Sequence, residues 1–343
     1  DLAPVIELYH HTVRAGQLDE AWILFRDRIW RTLYYQLGGY LLQIDLLRAL
    51  FPDGEDRLPR LKDESDQAHA LNELANSYSL SGQPRRAVLL FEQHNAICEK
   101  QDDKRNLAVG LGSVAYMAQL PIGELRAAEA NLRRQIALCR EIKDEGSEGT
   151  GLYELGRVLA YRGRCPESSE SLDAGEKIKK KAGKVQAQGI IWAYRALREL
   201  LRLRSAEAQG NLKHRGTEST EHAQLRDLRA SVFPNLLAAA RRALELADEH
   251  ARTDYPVERD YVDAHWLLGA AHRVAGQLDE AEGHLHEALE RCRRINMVDH
   301  EAAILIDLAR LRAATDAADE ARRLADEARA VSYTHLRAHE TGR

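Results

Sequence analysis

Histidine, cysteine and clustered carboxylates are the side chains that could do chemistry here, and the chain holds 14 histidines and 4 cysteines in 343 residues. His265 and His272 stand seven positions apart, so a helix would set both on one face, as metal ligands require. The same two places recur as large side chains in other segments of the sequence, and packing is preferred over ligation. His284 and His286, two apart, diverge on a helix, and His10-His11 has no cysteine or carboxylate at ligand spacing. No metal is expected.

The cysteines lie far apart with no CxxC pair. Cys98, Cys139 and Cys292 each follow a small residue (Ala87, Ala128 and Ala281) by 11 positions, which predicts equivalent burial. A catalytic thiol would be singular. Cys165, expected in a turn before Pro166, is the remaining candidate for an exposed thiol. Unpaired thiols of this kind suit a cytoplasmic protein.

Enzyme motifs do not survive inspection. Gly183-Lys184 is followed by Val185 and lacks the earlier glycine of G-x-x-x-x-G-K-[ST], and neither GxSxG nor HExxH occurs. No catalytic residue, enzyme activity or cofactor is expected. The run "KIKKKAGK" (Lys177–Lys184) could touch phosphate or anionic lipid, but lysine also collects at helix C-termini, and a solvated face is the preferred reading. A net charge of −5 and a pI near 6.3 give no global basic field for nucleic acid. No apolar run reaches the ~18 residues of a membrane span, and no signal peptide is visible. The chain begins at Asp1 inside a helical pattern without a methionine, as expected of a piece of something longer.

The elements that would carry any site are helices. Ala, Leu, Glu and Arg dominate, with 8 prolines in all. The stretch "AGQLDEA" occurs at Ala15–Ala21 and again at Ala275–Ala281. Aligning on it exposes a template: a large apolar residue beside a small one, a glycine turn, then a small residue followed four later by a large one. Leu74-Ala75, Gly82, Ala87 and Phe91 fit it, as do Leu155-Gly156, Gly163, Ser168 and Leu172, and Leu268-Gly269, Gly276, Ala281 and Leu285. Leu111-Gly112 with Ala128 and Leu132, and Leu308-Ala309 with Ala321 and Ala325, mark two further units, and a degenerate one sits near Leu37-Gly38. The small residues allow two helix backbones to approach while the large ones fill the space between them.

This pattern resembles the tetratricopeptide repeat, a helix–turn–helix unit of roughly 34 residues. The resemblance implies an all-α fold over 1–331. About eight helical pairs would stack in a right-handed superhelical solenoid with one continuous core. A long loop is expected at 51–64 ("FPDGEDRLP") and a polar, loop-like insertion at about 205–224. Residues 332–343, "SYTHLRAHETGR", depart from the pattern, resemble a translated adapter sequence and are read as non-native.

In such repeats the inner face carries first-helix residues two before, two after and five after the Leu of the Leu-Gly pair. Here these are Asn72, Asn76 and Ser79; Val109, Ser113 and Tyr116; Tyr153 and Arg157 with Ala160; and Trp266 and Arg273 with Ala270. Asn amides can pair with a peptide backbone, Tyr and Trp offer rigid contact area, and Arg grips carboxylates. A wet polar face is the plainer reading of any one of them; as a cluster they imply a protein or peptide ligand. The clamp that some repeat proteins use for acidic C-terminal tails needs a Lys where Asn72 stands, although Asn76 matches its Asn.

The stretch from Leu33 through Gly112, continuing to Ala330, resembles the C-terminal repeat region of bacterial STAND-class signalling ATPases. That resemblance implies a ligand-sensing arm of a larger protein, with a nucleotide-binding domain preceding this chain. The alternative is a peptide-responsive or transcription-regulator repeat module. An attached P-loop domain would mark the first and an attached helix-turn-helix domain the second.

Overall fold

The computed structural model describes residues 2–213, 218–315 and 317–337. Fifteen α-helices and three π-helical stretches occur among the described residues, and no strand. The chain divides into two compact units, one built around Asp1–Lys143 and one spanning Asp144–Tyr333.

In the N-terminal unit, α1 (Ala3–Arg14) pairs with α2 (Leu18–Leu24), which continues into a π-helical turn at Phe25–Ile29. A second π stretch, Thr32–Leu37, ends at Gly38 and leads into α3 (Tyr40–Arg48). Non-helical chain then runs to Asp63, covering the loop expected at 51–64. Next come α4 (Glu64–Leu80), α5 (Pro84–Lys100), α6 (Lys104–Ser113) with its π continuation Val114–Gln119, and α7 (Leu125–Glu141). One core joins Trp22, Phe25 and Ile29 to Leu71, Leu74, Tyr78, Phe91 and Leu111.

The second unit contains α8 (Glu145–Tyr161), α9 (Cys165–Lys181), α10 (Val185–Lys213), α11 (Glu218–Thr253), α12 (Glu258–Val274), α13 (Leu278–Arg294), α14 (Val298–Ala314) and α15 (Ala318–Arg337). Helix α8 packs against α9, α10 against α11 and α12 against α13, and α8, α10, α12 and α14 also neighbour one another in turn. Most of the unit's core, from Ala193 to Ala328, is one apolar cluster.

The repeat is longer than the sequence template implies. Glu64 and Lys104, Glu145 and Val185, and Glu258 and Val298 begin successive first helices 40 positions apart, against the roughly 34 of the tetratricopeptide consensus. The extra length lies in the helices: α4, α5, α8, α9, α12 and α13 each have 17 residues, joined by three-residue turns. Two kinds of turn alternate. Within a pair the chain reverses at a left-handed glycine, Gly82 (φ 81°) or Gly276 (φ 76°), where a Cβ would be strained. Between pairs the left-handed residue is Asp102, Lys143, Gly183 or Asn296, so glycine is not required there. Asp63, Asp103 and Asp144 then cap the following first helix by accepting from its free backbone N–H groups.

Both copies of "AGQLDEA" form the same element. Ala15 and Ala275 end a helix, Gly16 and Gly276 both have φ 76°, and Leu18 and Leu278 begin the next helix. Of the insertion expected at 205–224, residues 205–213 and 218–224 are helical. Helix α10 continues to Lys213 and α11 begins at Glu218, because Ala, Glu, Gln and Leu keep the polar segment helical after the repeat pattern stops. Residues 214–217 lie outside the described residues, as does the part of the 332–343 tail beyond Arg337.

Candidate functional site

The ten residues expected on the inner face fall into two sets, one in each unit. Asn72, Asn76 and Ser79 line one stripe of α4 at positions i, i+4 and i+7. All three are nearly buried, yet Asn72 Oδ1, Asn76 Oδ1 and Ser79 Oγ have no hydrogen-bond partner. The Asn72 amide donates to Glu73 Oε1 at 3.3 Å. On the next first helix Ser113 is buried, Tyr116 is half-buried in the π continuation and Val109 is exposed. Helix α6 is held tightly from behind. A Cβ on Gly112 would lie 2.6 Å from the Gln135 amide, and one on Gly110 would run into His94 and Asn95. Asn95 Oδ1 and Gln135 Oε1 are also buried without partners, so unmet acceptors are concentrated on α4–α7.

The second set sits among charges. Tyr153 and Tyr194 rings lie 6.0 Å apart, and the Tyr194 hydroxyl donates to Glu154 Oε1 at 3.0 Å. The Arg157 guanidinium covers the Tyr194 ring and reaches Glu154 Oε2 at 3.0 Å. Burial works against the Arg157 charge, but Glu154, Tyr194, Tyr161 and Asp263 together outweigh it and hold its pKa above the ordinary arginine value. Ala160 and Ala270 are buried and offer no surface to a ligand.

Trp266 is buried and donates its indole N–H to Asp307 Oδ2 at 2.8 Å. Asp307, from α14, is wholly enclosed. Arg204 of α10 donates to it at 2.5 Å, Arg310 lies 3.4 Å away and Arg273 3.7 Å away. Burial opposes ionisation of Asp307, but Arg204, Arg273, the Trp266 N–H and Arg310 together hold its carboxyl below the ordinary range. Burial pulls the Arg273 pKa down, and the charges of Arg310 and Arg204 add to that.

Sequence reasoning found Trp266 and Arg273 but missed the carboxylate that organises them. Two signals were present. Asp307 is a lone acid inside the apolar run "AAILIDLARL", and the two-after offset applied to Leu308 gives Arg310. Arg204 had no template because it lies beyond the usual length of a first helix.

The histidines that suggested a metal form a stack. His265 Nδ1 faces His284 Nδ1 at 3.0 Å, His272 stacks on His284, and His272 Nδ1 pairs with Gln277 Oε1 at 2.8 Å. His286 points away to Glu282. Burial and the neighbouring His284 push His265 down to about 4. Among the described residues no group of three His, Cys, Asp or Glu is placed to hold a metal ion.

Cys98, Cys139 and Cys292 are buried at equivalent helix positions, and burial raises the Cys98 thiol to about 11. Cys165 is partly exposed and opens α9 instead of lying in the turn. The lysine run is not solvated throughout. Lys179 is buried and donates to Gly146 O at 2.8 Å and Thr150 Oγ1 at 2.7 Å. With Lys184, Tyr153, Ile190, His250 and Tyr255 it borders a cleft of about 580 Å³. No described helix is long and apolar enough to cross a membrane.

Comparison with known proteins agrees with the helical architecture. Residues 260–333, covering α12 to α15, match the family model described as tetratricopeptide repeat. No curated protein matches the chain. Among solved structures, a Rap protein complexed with competence and sporulation factor is similar at 12% identity and a TM-score of 0.61, over 98% of each chain. A putative kinesin light chain with nearly identical TPR-like repeats from Podosopora anserina matches at 19% identity and a TM-score of 0.37, over 67% of this chain and 97% of its own. The fold is an all-α solenoid of tetratricopeptide type.

Proposed function

We propose that this chain is a peptide- or protein-binding scaffold whose first-helix faces receive the ligand. The observation that carries this reading is the row of unmet acceptors at Asn72, Asn76 and Ser79. A buried acceptor without a donor costs about 1–3 kcal/mol, so three on one helix stripe are costly for the unliganded protein. Seven residues of helix span about 10 Å, close to three residues of an extended peptide, whose backbone N–H groups are the missing donors.

The test is retention of a pooled random hexapeptide library by the full chain and by Asn72→Ala and Asn76→Ala variants. Reduced retention by folded variants supports the reading, and undiminished retention overturns the assignment of the site.

At a finer level, the chain serves as the ligand-sensing arm of a bacterial signalling ATPase, in line with the resemblance of its repeat region. The likeness to a Rap protein holding competence and sporulation factor supports a second reading, a peptide-responsive regulator without an ATPase. Sequencing the source DNA upstream of the Asp1 codon separates them. A G-x-x-x-x-G-K-[ST] frame supports the first, and a helix-turn-helix frame supports the second.

A further inference from the structure

Asp307 is one carboxylate facing three guanidiniums. Arg204, Arg273 and Arg310 come from three successive first helices and converge on it, while the Trp266 indole N–H takes a share of the same Oδ2. The charge does not balance. Glu207, the other acid that Arg273 senses, is already paired with Arg229 at 2.8 Å.

The hydrogen bonding does not balance either. Arg204 is the one guanidinium with a short bond to Asp307, and Arg273 stands 3.7 Å off. The Nε atoms of Arg204 and Arg273 are both buried without an acceptor. A buried guanidinium N–H lacking an acceptor costs free energy that a second anion would recover. Arg310 is the member of the cluster most open to solvent. The side chain of Arg310 is 41% exposed, against 20% for Arg204 and 14% for Arg273. Asp307 thus gathers the three arginines, and Arg310 is the one that carries guanidinium donors, of the fork geometry that a carboxylate accepts, toward solvent.

We infer that Arg204, Arg273 and Arg310, gathered by Asp307, form a receptor for the C-terminal carboxylate of a peptide lying on the first-helix face of the second unit. The inference rests on the peptide-binding reading, applied to that unit's own face.

Two measurements on the full chain test it. The first follows the indole ¹H–¹⁵N signal of Trp266, identified by its loss in Trp266→Phe, during titration with sodium acetate and with inorganic phosphate. A saturable shift with acetate is expected, weakened at least fivefold in Arg310→Gln, whose exposed position leaves folding intact by circular dichroism. No saturable acetate shift overturns the site, and a shift at much lower phosphate than acetate overturns the carboxylate in favour of a phosphoryl group.

The second compares the pooled hexapeptides as free acids and as C-terminal amides. The acids are expected to bind at least tenfold more tightly, a difference that Arg310→Gln removes. Equal binding of acid and amide overturns this inference and leaves the peptide reading standing. An acetate shift with no peptide retained in either form overturns the peptide reading, and with it the peptide terminus as occupant.

Discussion

Gly269 faces Leu285 so closely that a Cβ built on it would lie 2.6 Å from Leu285 Cγ, and Gly156 stands in the same relation to Leu172 at the same distance. The Leu-Gly pair of each repeat is thus a contact between helices. The small residue sits under the large side chain four positions after the small residue of the second helix.

Gly269→Ala is expected to destabilise the protein by about 1–3 kcal/mol, because a methyl group there overpacks a filled interface. Chemical denaturation would show a lower midpoint. In a Leu285→Ala background the same substitution should cost much less; an equal cost in both backgrounds would refute the contact.

Asn76→Ala should separate stability from binding. Its buried Oδ1 has no donor, so truncation removes an unmet acceptor, and the denaturation midpoint is expected to hold or rise. Peptide retention should fall in the same variant. A large loss of stability would mean that Asn76 serves the fold.

Asp307→Asn removes the negative charge beneath three guanidiniums and should cost about 3–5 kcal/mol. Its carboxyl is held below the ordinary range when folded, so the unfolded chain takes up its proton first as the solution becomes acidic. This contribution is complete above pH ~4 and is lost as pH falls through the lower folded value. Thermal melts of the two proteins should therefore converge in strong acid.

His265 predicts a second, milder window. Its pKa falls from the usual 6.5 to about 4 on folding. Between these values the unfolded chain binds a proton that the folded chain refuses, so stability should decline as pH drops from about 6.5 toward 4. A loss of roughly 1–3 kcal/mol follows. His265→Asn should flatten the decline, and an unchanged slope would show that other groups cause it.

The helical class and the repeat were legible because they depend on local spacing. Leu-Gly pairs, turn glycines and the duplicated "AGQLDEA" are enforced within one helical pair, and the structure places Gly82 and Gly276 at left-handed turns. The helical state of 205–213 and 218–224 was not legible, since a polar segment carries no apolar period whether it is helical or not. Nor was the 40-residue period, because the template fixes the contact between paired helices and not how far each helix extends beyond it.

The site divides along the same line. Offsets from each Leu placed Asn72 and Asn76 on one stripe of α4, and Arg273 on α12, because a helix converts spacing into facing. That Asn76 Oδ1 would be buried without a donor depends on what neighbouring helices fail to supply. That Arg204 would meet Asp307 across 103 positions depends on α10, α12 and α14 lying side by side. The sequence by itself determined the repeating unit and the face each helix presents. Only the tertiary structure decided which charges meet on that face, since pairing between repeats is set by distance in space and leaves no fixed spacing along the chain.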